Sequence, residues 1–138
     1  MNYVLDASVY VARHSPNETH HERAKELWKF AVAAPFHVPE IFSLEVVAAF
    51  SRLKSSVEVV AGHHAFTTGV KFIVHPVDRS LIEEATQVAK DTRTRAADSI
   101  YMALAQRLGA TFLTLDFKLK SHLSASLSAS LREMMIES

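Results

Sequence analysis

Four acidic residues, far apart in the chain, are of types that could do chemistry together. Asp6 and Asp116 each follow a short apolar run, whereas Glu45 and Asp98 lie in segments with helical periodicity. If these carboxylates meet, their mutual repulsion raises at least one pKa. Magnesium or manganese would relieve that repulsion, because these hard cations prefer oxygen ligands. A metal held in this way could activate water and stabilise charge on a phosphoryl group.

The elements around these acids predict how they would be positioned. Residues 96–108 have apolar side chains at helical spacing, and Gly109 follows at the position of a C-cap. Residues 111–115 then form a β-branched and aromatic run, typical of a buried strand. Similar alternation through the chain predicts a single α/β domain over residues 1–138, with a mostly parallel central sheet flanked by helices. Ligands bind such sheets outside the carboxyl ends of the strands, where the four acids could converge.

The remaining elements follow from the same periodicities. In the helix at residues 40–54, one inward stripe is predicted from residues that keep helical spacing, namely Ile41, Leu44, Val47, Ala48 and Ser51, and Pro76 predicts an edge strand. The C-terminal segment, residues 123–138, is rich in serine and has leucines at every fourth position, namely Leu123, Leu127 and Leu131. We interpret it as a marginal helix. The other predicted strands span residues 3–5, 36–38 and 73–77, and the other predicted helices span residues 7–13, 18–33, 57–72 and 80–90.

Composition excludes several classes of protein. The chain has 138 residues, its 15 basic and 15 acidic side chains cancel, and it contains no cysteine. Disulfides and thiolate metal sites are therefore excluded, and no bulk charge indicates nucleic-acid or membrane binding. No apolar run approaches the length of a membrane span and no signal peptide is recognisable, so we expect a cytoplasmic protein.

Each proposed site residue also has a simpler interpretation. Asp6 could cap the helix that follows it, and Ser8 could bond to the local backbone. Glu45 could be an ordinary solvated helical glutamate. Arg93 and Arg95, together with Lys118 and Lys120, lie near two of the acids, where they could contact phosphates or simply be solvated. These alternatives stay open at this level.

Four segments together resemble the PIN-domain ribonucleases, and most closely the small VapC-like toxins of toxin–antitoxin pairs. They are Val-Leu-Asp-Ala-Ser at residues 4–8, Glu-Val-Val-Ala-Ala-Phe at 45–50, Ala-Asp-Ser-Ile-Tyr-Met-Ala-Leu-Ala at 97–105 and Thr-Leu-Asp at 114–116. The resemblance implies a three-layer fold, an RNA substrate, and magnesium or manganese held by Asp6, Glu45, Asp98 and Asp116. It also implies a supporting hydrogen bond from Ser8 and an antitoxin partner.

Other functions fit the sequence less well. The eight histidines include no His-Glu-x-x-His spacing, and the adjacent pairs cannot act as bidentate zinc ligands. A haloacid-dehalogenase-type phosphatase would need an aspartate where Ser8 stands, and a receiver domain would need a phosphoacceptor on a middle strand. A non-catalytic PIN-fold module that acts only through protein contacts remains the alternative.

Surplus apolar residues on two predicted helices indicate association. The helices at residues 18–33 and 40–54 carry Trp28, Phe30, Phe42 and Phe50, more than one core-facing stripe requires. Contiguous exposed apolar patches usually mark interaction sites. We therefore predict a homodimer, with the antitoxin segment implied by the resemblance lying in a groove between these helices.

Overall fold

The computed structural model of the chain describes residues 2–29, 34–116 and 119. Within them, four parallel strands form one sheet in the order β3-β2-β1-β4. The strands are β1 (Tyr3–Leu5), β2 (Phe36–Pro39), β3 (Phe72–His75) and β4 (Thr111–Leu113). The helices are α1 (Ala7–Arg13), α2 (His21–Trp28), α3 (Ile41–Arg52), α4 (Val57–Thr67), α5 (Arg79–Thr92) and α6 (Ala96–Leu108).

Helices cover the sheet on two sides, which confirms the predicted three-layer α/β architecture. Side chains alternate along a strand, so Phe36 and its register partner Phe72 face one side while His37 and Ile73 face the other. The first side packs against α1 to α4. On the second side, helix α6 packs on β1, β2 and β4, and α5 packs against α6. No helix in the described part of the chain is long and apolar enough to span a membrane.

The core on the α1–α4 side is organised around Tyr10. This fully buried ring meets Phe42 and Phe72 edge to face, with ring centroids 5.8 and 6.1 Å apart. Phe50 and Trp28 contact the same ring. Aromatic side chains bury more area than aliphatic ones, so this cluster determines which face of α3 points inward.

The predicted inward stripe of α3 is therefore wrong. Phe42, Val46 and Phe50 are its buried residues, whereas Leu44 is 68% exposed. Burial of Phe42 and Phe50 also removes them from the exposed patch that was expected to mediate association. Phe30, named in the same prediction, lies outside the described residues.

Most element boundaries differ from prediction by a few residues. Helix α4 ends at Thr67, so Phe72 begins β3 instead of ending a helix, and β3 is an edge strand as Pro76 predicted. Strand β4 pairs with β1 only as far as Leu113, two residues short of its expected end. The serine-rich segment at residues 123–138 lies outside the described residues.

Candidate active site

A cavity of about 630 Å³ opens at the carboxyl edge of the sheet, and all four predicted acids line it. Its floor contains Asp6, Asp98 and Asp116, and Glu45 stands on the α3 wall. They arrive from the end of β1, the first turn of α6, the segment after β4, and the middle of α3. The structure thus brings together four carboxylates that are up to 110 residues apart in the sequence.

Asp6 is the most enclosed of these acids, with 9% of its surface exposed. It stands at the N-cap position of α1 without making a capping hydrogen bond. Instead, its Oδ2 accepts hydrogen bonds from Ser8 Oγ at 2.7 Å and from Thr114 Oγ1 at 2.8 Å. Burial raises the pKa of Asp6, and the hydrogen bonds from Ser8 and Thr114 oppose that shift.

Ser8 joins the two sides of the site. Besides donating to Asp6, its Oγ accepts the backbone N–H of Leu115 at 3.2 Å. The Asp6 backbone N–H donates to the Leu113 carbonyl at 2.9 Å, which continues the β1–β4 pairing by one step. These bonds fix the Asp6 carboxylate relative to the segment that carries Asp116.

Glu45 is held by a tyrosine of α6, the helix that also carries Asp98. The hydroxyl of Tyr101, a fully buried residue of α6, donates to Glu45 Oε1 at 2.6 Å. Burial raises the pKa of Glu45, the hydrogen bond from Tyr101 lowers it, and the charges of Asp6 and Asp98 raise it further. Glu45 is therefore not an ordinary solvated helical glutamate.

Asp98 lies in the first turn of α6, whose start is fixed by Ser99 Oγ donating to the Arg95 carbonyl at 2.9 Å. The pKa of Asp98 is raised to about 6, first by burial and then by the charges of Asp6 and Asp116. The guanidinium of Arg95 partly offsets this. Burial, more than repulsion, explains the shift, although the predicted rise of at least one pKa is confirmed.

Asp116 lies three residues beyond the end of β4, whereas the sequence had placed it at the end of a strand. Its backbone N–H donates to Thr114 Oγ1 at 3.1 Å, and its Oδ1 accepts the backbone N–H of Leu119 at 3.2 Å. Because β4 ends at Leu113, these local bonds keep the Asp116 carboxylate at the cavity.

The donor set fits a hard, hydrated cation. All four acids offer only oxygen ligands, and three of them have raised pKa values that a positive charge would lower. Within residues 2–29, 34–116 and 119, no group of three or more His, Asp or Glu side chains is placed to hold a metal ion. Magnesium usually keeps several of its waters, so a partly open set of carboxylates suits it better than a closed cage would.

Three residues at this site were not predicted from the sequence. Thr114 and Tyr101 supply hydrogen bonds to the acids, and Arg52 lines the cavity. A buried tyrosine hydroxyl needs a partner, which was the available signal for Tyr101. Of the predicted phosphate contacts, Arg93 and Arg95 are exposed and do not line the cavity, while Lys118 and Lys120 lie outside the described residues.

The fold and the site define a three-layer α/β protein with carboxylates gathered at the carboxyl edge of a parallel sheet. A family model described as PIN domain matches residues 3–122. The chain therefore belongs to the PIN-domain family, as its four sequence segments predicted.

Individual relatives agree with this assignment. The chain is 33% identical over 122 residues to Ribonuclease VapC12 of Mycobacterium tuberculosis, and the match covers 86% of this chain and 91% of that protein. The crystal structure of VapC20 from the same organism, a Sarcin-Ricin loop cleaving toxin, superposes with a TM-score of 0.73 at 16% identity, covering 92% and 97% of the two chains. A chain of a toxin–antitoxin complex from Klebsiella pneumoniae superposes with a TM-score of 0.64 at 13% identity, covering 99% and 96%. The two structural matches support the fold alone.

Proposed function

We propose that this protein is a metal-dependent endoribonuclease and the toxin of a toxin–antitoxin pair, acting in the cytoplasm. The observation that carries the proposal is the meeting of Asp6, Glu45, Asp98 and Asp116 at one cavity in a PIN-domain chain. The ribonuclease to which the chain is 33% identical supports the reaction class. A chain of a toxin–antitoxin complex shares the fold, and we extend that biological setting to this protein as part of the proposal.

In this proposal, each acid has a defined task. Asp6, Glu45, Asp98 and Asp116 hold Mg²⁺ or Mn²⁺, which when bound supplies activation of water and neutralisation of phosphate charge. Ser8 and Thr114 keep Asp6 oriented, and both hydrogen bonds favour its charged form.

The proposal includes a homodimer and an antitoxin partner. Three residues on α3, on the turn after it and at the start of α4 remain open to such contacts: Leu44, Leu53 and Val57 are 68%, 61% and 81% exposed. Exposed large apolar side chains on neighbouring elements are typical of interaction surfaces. In the proposal, these three exposed aliphatic residues form the interaction surface that the sequence had assigned to aromatic residues.

A circular single-stranded RNA tests the reaction class directly, because only an endonuclease can linearise it. The purified protein should linearise this RNA with manganese and should leave it intact in EDTA. Asp6→Asn should be inactive with an unchanged circular-dichroism spectrum, whereas Asp91→Asn, in α5 and not part of the cavity lining, should be as active as wild type. A folded, metal-loaded protein that leaves circular RNA intact would instead favour the non-catalytic module.

A further inference from the structure

The α3 wall of the cavity combines an acid, two small residues and an arginine. Glu45, Ala48, Ala49 and Arg52 all line the cavity and follow the helical spacing of one face. Glu45 and Arg52 are seven residues apart, so they stand about 10 Å from each other along the helix axis. The alanine side chains between them are small and leave space along this face of α3, so a nucleotide strand could lie there from the acids to Arg52.

Arg52 is the cation on this wall, and it has no partner among the residues that the structure describes. It is exposed, and it forms no ion pair or hydrogen bond with any other described residue. Elsewhere Arg23, Arg79 and Arg107 each pair with a glutamate. Among residues 2–29, 34–116 and 119, Arg52 is also the one lysine or arginine that lines the cavity. A guanidinium with five free donors at the mouth of an acidic cavity suits a phosphate.

Another part of the cavity lining has a different charge. Glu18 and His20, from the connection between α1 and α2, also line the cavity. Glu18 repels a phosphate, and Arg52 attracts one, so an RNA backbone should follow the α3 side. A cavity of about 630 Å³ accepts a few nucleotides at most, which favours an unpaired strand over a duplex.

We propose that Arg52 binds a backbone phosphate of single-stranded RNA next to the phosphate that is cleaved, and so fixes the path of the strand along α3. This inference rests on the proposed ribonuclease function. Arg52 is a substrate-binding residue in this account, and it leaves the chemistry to the acids. A purely structural role would be the favourable placement of a positive charge in the last turn of α3.

Steady-state cleavage of a fluorescent single-stranded RNA in manganese separates these roles. Arg52→Gln should raise KM about tenfold or more, because a charge-assisted hydrogen bond is lost, and should leave kcat nearly unchanged. The slope of log(kcat/KM) against log salt should become shallower by about 0.7, the value for one phosphate contact to a single strand. Arg52→Lys should keep the wild-type salt slope. Arg79→Gln, which changes an exposed arginine of α5, should have the KM, kcat and salt slope of wild type.

The outcomes are distinguishable. A folded Arg52→Gln variant with wild-type KM and wild-type salt slope would overturn this inference while leaving the ribonuclease function standing. A lowered melting temperature with unchanged KM would likewise assign Arg52 to the helix end alone. If wild type itself cleaves no RNA, the proposed function fails and this inference fails with it.

Discussion

Replacing Asp98 with asparagine should make the metal-free protein more stable at neutral pH, although it removes a native side chain. The pKa of Asp98 is raised from 3.8 to about 6, so the folded state binds its proton more tightly than the unfolded chain does. The stabilisation from this group is therefore complete below about pH 3.8 and is lost as pH rises through about 6. Asparagine is uncharged at all of these pH values, so the variant does not lose stability as the pH rises through about 6.

The size of the effect follows from the same shift. Two pKa units correspond to roughly 3 kcal/mol for a fully buried group. Asp98 is only half-buried, so solvent screening reduces this to roughly 1.5 kcal/mol. The favourable interaction of an acid with the first turn of α6, about 0.3–1 kcal/mol, works in the opposite direction. The net gain should be about 0.5–1 kcal/mol, or about 2–4 °C in melting temperature for a chain of this length.

Differential scanning fluorimetry in EDTA measures this difference. Asp98→Asn should melt above wild type at about pH 7.5 and should lose that advantage at about pH 4.5. Manganese should then stabilise wild type, by about 2.7 kcal/mol at a hundredfold excess over its Kd, and should stabilise the variant much less. Asp91→Asn, outside the cavity, should keep the full response to manganese. If Asp98→Asn melts well below wild type in EDTA at neutral pH, Asp98 is a structural residue of α6 and the reasoning is refuted.

Four further predictions concern the site and the assembly. Tyr101→Phe should lower the free energy of unfolding in urea by about 1–2 kcal/mol, because it removes a donor to a carboxylate; an equal cost in a Glu45→Ala background would contradict this. Thr114→Val should raise the pKa of Asp6 further, measured by NMR titration of the carboxyl carbon, and an unchanged value would show that the hydrogen bond does not act on Asp6. Calorimetric affinity for manganese should fall between about pH 7.5 and pH 5.5, because protons compete with the cation for Asp98. Light scattering should give a dimer, and a monomer at high concentration would refute that part of the proposal.

The layers of the fold were predictable because they depend on local patterns. Short apolar runs next to amphipathic segments predict alternating strands and helices, and parallel pairing of the strands follows from that alternation. The face that α3 buries depends instead on partners that are distant in sequence. Leu44 and Phe42 both fit a helical stripe, and only the aromatic cluster around Tyr10 determines that Phe42 points inward.

The same error concealed part of the site. A stripe through Ile41, Leu44 and Ala48 would have buried Ala48 in the core, whereas it lines the cavity together with Leu44 and Arg52. The four acids were named from their positions beside predicted strands and helices and from the resemblance of their segments to a known family, but the partners that orient them were not. In the sequence, Tyr101 looks like one more residue of the apolar stripe. Its hydroxyl, however, donates a hydrogen bond to Glu45, which is 56 residues away in the chain. Such a contact is visible only once α3 and α6 are placed on the sheet.

The central claim is that the four carboxylates would hold a cation on which RNA cleavage depends, and a manganese titration of wild type and Asp6→Asn tests it most directly. RNA cleavage and melting temperature should be followed in the same samples as manganese is added back to EDTA-treated protein. For wild type, both curves should reach half-saturation at the same free manganese concentration. For Asp6→Asn, cleavage should fall by about a hundredfold or more, and the thermal response should shift to higher manganese. Cleavage by wild type in EDTA, or wild-type curves from the Asp6→Asn variant, would contradict the account.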